Sequence, residues 1–147
     1  MIDTSDFEKA KSSLKRESSP KIVKASEDQF NRNIIEYGKF DILLSPEKGD
    51  RKGTLRNIDS GFNEVLARIS AKKGISIGID IRELRSLPKI ERAIRLSKIR
   101  QNIKLCRKAG VRTALIGVND IRDAKSFLFS LGASANQVKD GLFLTST

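Results

Sequence analysis

The stretch Ile75–Val118, ISIGIDIRELRSLPKIERAIRLSKIRQNIKLCRKAGVRTALIGV, decides the fold. It opens on an alternation: Ile75, Ile77, Ile79 and Ile81 point one way, Ser76, Gly78 and Asp80 the other, which is the period of a strand. It closes on Val111–Val118, a near-continuous apolar run suited to a strand buried on both faces. Between them Pro88–Gly110 reads as one long helix. A proline opens a helix at no cost, because its missing N–H belongs to the unbonded first turn, and Gly110 ends it as a left-handed cap. Leu96, Ile99, Ile103 and Cys106, spaced three, four and three residues, form its apolar stripe. Glu91 near its start and Lys104, Arg107 and Lys108 near its end complement the helix dipole. Strand, helix and strand in this order make a right-handed crossover between parallel strands.

The same alternation continues in both directions. Upstream lie a short strand at Lys21–Ala25, a helix at Glu27–Tyr37, a strand at Phe40–Leu44, and a helix whose stripe is Phe62, Val65, Leu66 and Ile69, capped from Asp59-Ser60. Downstream come a helix over Ala124–Leu131 capped by Asn119 or Asp120, a polar connector at Gly132–Asp140, and a last strand at Leu142–Thr145. Residues 3–17 read as a polar helix anchored by Phe7, Ala10 and Leu14 and capped by Asp3, Thr4 or Ser5, and Ser18-Ser19-Pro20 breaks it. The expected organisation is an N-terminal polar helix or arm over 1–20 and one partial (β/α) barrel domain of about five parallel strands over 21–147. A closed (β/α) barrel of eight strands takes about 250 residues. The reading is therefore an incomplete, half TIM-like barrel with an edge to cover.

Charge gives the first indication of function. The chain has 29 Lys and Arg against 18 Asp and Glu, a formal +11. Arg82 to Arg112 holds eleven basic residues and two Glu, so most of the excess is local. Such a helix is a solvated exterior face or a polyanion-binding one. Closely placed cations gain by releasing phosphate counterions, which favours nucleic acid. A membrane-surface helix wants Trp or Phe on its apolar face, and this one has neither. Histidine is absent, which excludes imidazole as ligand, base or triad member. With no Trp and only Tyr37, recognition by stacking bases on aromatic rings is disfavoured. A lone Cys106 and an N-terminus without an apolar signal region lead us to expect an intracellular, cytoplasmic protein.

Several stretches together resemble a known family. They are DILLSPE, LRNIDSGFNEVLARISAKKGISIGIDIRELR and RAIRLSKIRQNIKLCRKAGVRTALIG. Most specific are Asp59-Ser60-Gly61-Phe62-Asn63, Ile77-Gly78, Arg82-Glu83-Leu84, and Arg100-Gln101-Asn102-Ile103 with Leu105-Cys106-Arg107-Lys108, in that order and spacing. The chain resembles protein component 3 of archaeal ribonuclease P from about Phe40 to Leu131. The resemblance implies a barrel-like fold of the phosphoesterase (PHP-like) superfamily with no catalytic site of its own. It implies a subunit that supports a catalytic RNA, with its Mg²⁺, in removing the 5′ leader of precursor tRNA. It also implies protein component 2 and further holoenzyme subunits as partners. Family members begin with further strand–helix units where this chain has a polar helix, so a homodimer or a larger partner interface is expected at the uncovered edge.

The expected RNA contacts are Arg82, Arg92, Arg95, Lys98, Arg100, Asn102, Lys104, Arg107 and Lys108, together with Lys48, Arg51, Lys52 and Arg56 of the polar loop 47–58. Arginine suits bidentate phosphate binding, and Asn102 suits hydrogen bonding. Arg100 and Asn102 also suit holding loops or buried carbonyls at the barrel rim. Asp80 with Arg82 reads as an ordinary ion pair or as the remnant of a phosphate or metal site. Two other classes stand beside this reading: a metal-dependent phosphoesterase using Asp41, Glu47, Asp80 and Asp120, and a general basic RNA-binding protein.

Overall fold

Short runs of Ile, Leu and Val separated by amphipathic helices leave a chain one economical solution, a parallel sheet with its crossovers on one side. The computed structural model, which describes residues 1–48 and 59–145, has this form. Its strands are β1 (Ile22–Lys24), β2 (Ile42–Leu44), β3 (Ser76–Asp80), β4 (Thr113–Val118) and β5 (Leu142–Thr145). They pair in sequence order, every pair parallel. The helices are α1 (Phe7–Leu14), α2 (Asp28–Tyr37), α3 (Glu64–Lys73), α4 (Ile81–Ser86), α5 (Lys89–Ala109), α6 (Ile121–Ser130) and α7 (Ala135–Asp140). This is the singly wound order of a (β/α) barrel, carried through five strands.

Both faces of the sheet are apolar, which explains the near-continuous hydrophobic strands. On the helix side, Val23, Leu43 and Ile77 pack with α1, α2, α3 and Cys106. Ile79 and Leu115 pack with Ile99 and Ile103 of α5, Leu128 of α6 and Val138 of α7. On the other side Ile22, Ile42, Leu44, Ala114 and Ile116 close on one another, with Leu142 and Leu144 against them. Asp80 shares that side, next to Ile116 in register.

Four local expectations are corrected. Ile81 does not extend β3; Asp80 accepts from the backbone N–H groups of Arg82 and Glu83 and starts α4 there. Asn63, not Asp59-Ser60, caps α3 through Leu66 N–H, and Val65 lies outside the buried stripe at 46% exposure. Asp6 caps α1. The polar connector after Gly132 contains α7, held by a reciprocal Ser134–Gln137 capping box. The expected polar helix near the N-terminus is α1, with its anchors Ala10 and Leu14 inward. Ile2 bridges to Val23, and Ala10 and Leu14 are buried in the main core.

Gly110 takes φ 76° and ends α5 as expected. Gly117 also has a positive φ, 81°, and a Cβ there would lie 2.6 Å from Cγ of Arg82. Cys106 is 1% exposed, and burial pushes its thiol up to about 12. The thiolate is the reactive form, so iodoacetamide at pH 8 should modify Cys106 only as fast as the fold opens. Labelling followed by mass spectrometry across a urea series should rise together with the unfolding transition. Rapid labelling well below that transition would place α5 differently.

Candidate nucleic-acid interface

Helix α5 runs 21 residues, about 31 Å, with the sheet beneath it, α3 on one side and the α6–α7 pair on the other. Ile99, Ile103 and Cys106 fix its inward face. Rotation by 100° per residue then carries Arg100, Lys104, Arg107 and Lys108 outward along one stripe, and all four are exposed. They cover about 12 Å of helix axis. An Arg100 guanidinium N–H reaches the Ser130 carbonyl at 3.5 Å. Lys108 Nζ donates to Glu64 Oε1 of α3 at 2.7 Å, and this bond and charge hold the Glu64 carboxyl below the ordinary range. Lys104 and Arg107 have no acidic partner among the described residues. Beside Lys108 a cleft of about 180 Å³ opens between α3 and α5, lined by Glu64, Ala67, Arg68, Leu105, Lys108 and Ala109. It brings Arg68, which the sequence reading did not single out, next to the stripe.

The other expected contacts face inward or are already engaged. Arg95 is 9% exposed and donates to Glu47 Oε1 at 3.0 Å and to Glu83 Oε1 at 3.3 Å. Lys48 pairs with Glu83 at 3.2 Å. Lys98 is buried and has interactions of its own. Asn102 is buried and donates to the Ser60 carbonyl at 3.2 Å. Arg92 donates to the carbonyls of Leu84, Arg85 and Leu87, satisfying the open end of α4. Arg82 lies over Gly117 and pairs with Asp80 at 3.5 Å, the ordinary ion pair of the two readings. As side chains presented to RNA, Arg95, Lys98 and Asn102 are therefore corrected. The apolar stripe of α5 is wider than its hydrophobic residues suggest, and these three lie within it. Arg51, Lys52 and Arg56 lie outside the described residues.

The Glu47–Arg95 pair has no sequence signal, since 48 residues separate its members. Burial pushes the Glu47 carboxyl above its ordinary range against the opposing pull of Arg95. Burial acts on Glu83 in the same direction, but the hydrogen bonds and charges of Lys48 and Arg95 outweigh it and the net shift is downward.

The four carboxylates of the phosphoesterase reading are not brought together. Asp41 accepts from Lys21 N–H at 2.6 Å before β2, while Glu47 is in its buried pair beyond the same strand. Asp80 caps α4, and Asp120 caps α6 through Arg122 and Asp123 N–H groups. Among the described residues no group of three Asp, Glu or Cys is placed to hold a metal ion.

Fold and surface thus define a class: an open (β/α) half barrel whose outer layer carries a basic helix. Several curated proteins are similar to this chain. The chain is 26% identical over 122 residues to ribonuclease P protein component 3 of Methanococcus maripaludis strain C5, covering 82% of this chain and 50% of that one. It is 35% identical over 94 residues to the protein of that name from Methanosarcina acetivorans, covering 64% and 36%. For the Methanocaldococcus jannaschii protein the figures are 34% over 83 residues, 56% and 33%. The chain spans half or less of the length of these relatives. The resemblance read from the sequence is shown, although no family model matches. One chain of a cryo-EM structure of archaeal ribonuclease P with mature tRNA superposes with a TM-score of 0.74 at 22% identity, over 95% of this chain and 60% of that one. That likeness establishes the fold.

Removing one partner of a buried ion pair costs about 3–5 kcal/mol, because the other charge stays behind unpaired. Arg95→Ala should lose about that much in urea unfolding at pH 7. The sign with pH follows from Glu47: a carboxyl raised on folding costs stability as pH climbs through the ordinary carboxylate range. The deficit of Arg95→Ala should therefore be smaller near pH 4 than at pH 7. Arg95→Met combined with Glu47→Leu should recover much of the loss. A pH-independent deficit would remove Glu47 from the account.

Proposed function

We propose that this chain acts as a protein subunit of ribonuclease P, supporting the catalytic RNA in removing the 5′ leader of precursor tRNA. The observation that carries this reading is the exposed stripe Arg100, Lys104, Arg107 and Lys108 on a chain similar to ribonuclease P protein component 3. The stripe neutralises RNA phosphates, so that the RNA folds and binds its Mg²⁺ at lower salt. Lys48 and Arg68 add to the positive charge of the described surface, with Arg82 and Arg92 at the rim, and Arg51, Lys52 and Arg56 are further RNA contacts on this reading. Arg100 bonds a loop carbonyl and faces RNA with the remainder of its fork. The chemistry belongs to the RNA and its Mg²⁺, and the protein itself supplies no catalytic group. Protein component 2 and further subunits are its protein partners, in the cytoplasm. The lack of a helix long and apolar enough to cross a membrane among the described residues is compatible with that setting. An edge of the five-stranded sheet is where a second copy or another subunit adds to the half barrel.

Two measurements test the reading. Precursor-tRNA cleavage by the cognate RNA and the other subunits should require this chain at low Mg²⁺, while the chain alone cleaves nothing. Cleavage indifferent to the chain would overturn the proposal. Each phosphate contact contributes about 0.7–0.9 to the slope of log K against log salt. Lys104→Gln combined with Arg107→Gln should thus weaken RNA binding about equally across sequences and lower that slope by about 1.4–1.8. An unchanged slope would show that the stripe does not face RNA.

A further inference from the structure

Between α5 and the sheet the packing is not wholly apolar. Asn102 of α5 is 3% exposed and Thr113, which opens β4, is 2% exposed. Among the described residues, Asn102 Oδ1 and Thr113 Oγ1 are buried oxygens without a hydrogen-bond partner in the protein. Both residues line one cavity of about 10 Å³, and Glu47, 1% exposed, is its third polar wall. The rest of the wall is four isoleucines and Cys106. Asn102 gains nothing by turning its amide over. Its Nδ2–H donates to the Ser60 carbonyl at 3.2 Å, and the reversed amide would set two acceptors face to face. A buried polar atom left unbonded costs the full loss of its hydration, and here two of them share one small space.

We infer that this cavity is a binding site for a single water molecule, held by Asn102 Oδ1, Thr113 Oγ1 and the Glu47 carboxylate. Size and chemistry select this ligand. A water needs a cavity of roughly 10–15 Å³ and two to four polar partners, and this cavity has room for one molecule beside three polar side chains. The water donates one proton to Asn102 Oδ1 and the other to Glu47, and it accepts from the Thr113 hydroxyl. Glu47 has lone pairs to spare for this, although Oε1 already accepts from Arg95. A hard metal ion does not fit, because it takes about six or more oxygens, and one of the three side chains here is already paired with a cation. An apolar ligand would leave both orphan oxygens unmet. Glu47 and Ser60 flank residues 49–58, and α5 holds both of them, through Arg95 and Asn102. The water ties that clasp to β4. The height of α5 over the sheet, and with it the place of the outward basic stripe, is thereby set by a polar joint as well as by apolar packing. The assignment holds whatever the stripe binds.

A crystal structure of the full chain, at a resolution that orders internal water, tests the site directly. The expected result is one isolated peak at about 2.7–3.2 Å from both Asn102 Oδ1 and Thr113 Oγ1. A cavity without a peak, a peak that reaches only one of the two oxygens, or a peak with the anomalous signal of a metal would overturn the inference. The sign of a stability change tests it in solution. Thr113→Val keeps the β-branched shape and removes only the hydroxyl. If that hydroxyl is bonded to a bound water, its loss should lower the folding equilibrium constant about fivefold in urea unfolding at pH 7. If it has no partner, valine should leave the constant unchanged or raise it, since an unmet polar group is then replaced by an apolar one of the same shape. Either of those outcomes would overturn the inference as well.

Discussion

Every crossover in this chain has to pass over the same face of the sheet, because five parallel strands paired in sequence order leave no other right-handed route. The rest of the structure answers to that constraint. The helices form one outer layer, and the opposite face of the sheet must satisfy itself, which it does with Ile22, Ile42, Leu44, Ala114 and Ile116. The crossover between β3 and β4 lies in the middle of the layer, with neighbours on both sides. Its helix, α5, is thereby held against α3 through Lys108 and Glu64, and against α7 through Gln137, whose side-chain amide donates to the Ile103 carbonyl at 2.9 Å. A helix in that position has one narrow outward stripe, and here it is basic.

The polar residues on the flank of α5 show how the helix is also fixed in height. Asn102 holds Ser60 ahead of α3, Arg95 holds Glu47 after β2 and Glu83 on α4, and Arg92 closes α4 itself. Three side chains from one helix thus organise the carboxyl-terminal rim of the sheet. In related barrels this is the end where active sites gather. In this chain the charged groups at that rim are used to position backbone. Buried charge of this kind is weak evidence for stability, but it is demanding about geometry, since any shift leaves an ion without its partner.

The sheet, the long helix and most boundaries were legible because they depend on period and on caps, which are local. Leu142–Thr145 was placed to the residue, and Gly110 and Asp120 behave as their residue types suggest. The failures were also local in cause. α4 was hidden because Ile81 continues an alternation that Asp80 interrupts by capping. α7 was hidden because a six-residue polar helix has almost no apolar stripe, although Ser134 and Gln137 carried a capping signature. The candidate site was legible as a charge excess but not as a surface. Sequence counts Arg95, Lys98 and Arg100 alike, whereas a rotation of 100° per residue sends the first two inward and the third out. Nothing short of the packed structure separates them, since Arg95 owes its burial to a carboxylate 48 positions away.

Gly117 carries a consequence of a different kind. Its backbone is in the region that other L residues avoid, and the space a side chain would need is already filled by Arg82. One position therefore couples the bend at the end of β4 to the place of an arginine on α4, and a substitution would have to solve both problems at once. Drift elsewhere on the rim can be compensated singly, by lengthening one side chain or shortening its partner. Here the two requirements share an atom's worth of room, so the rim can vary around Gly117 far more readily than at it.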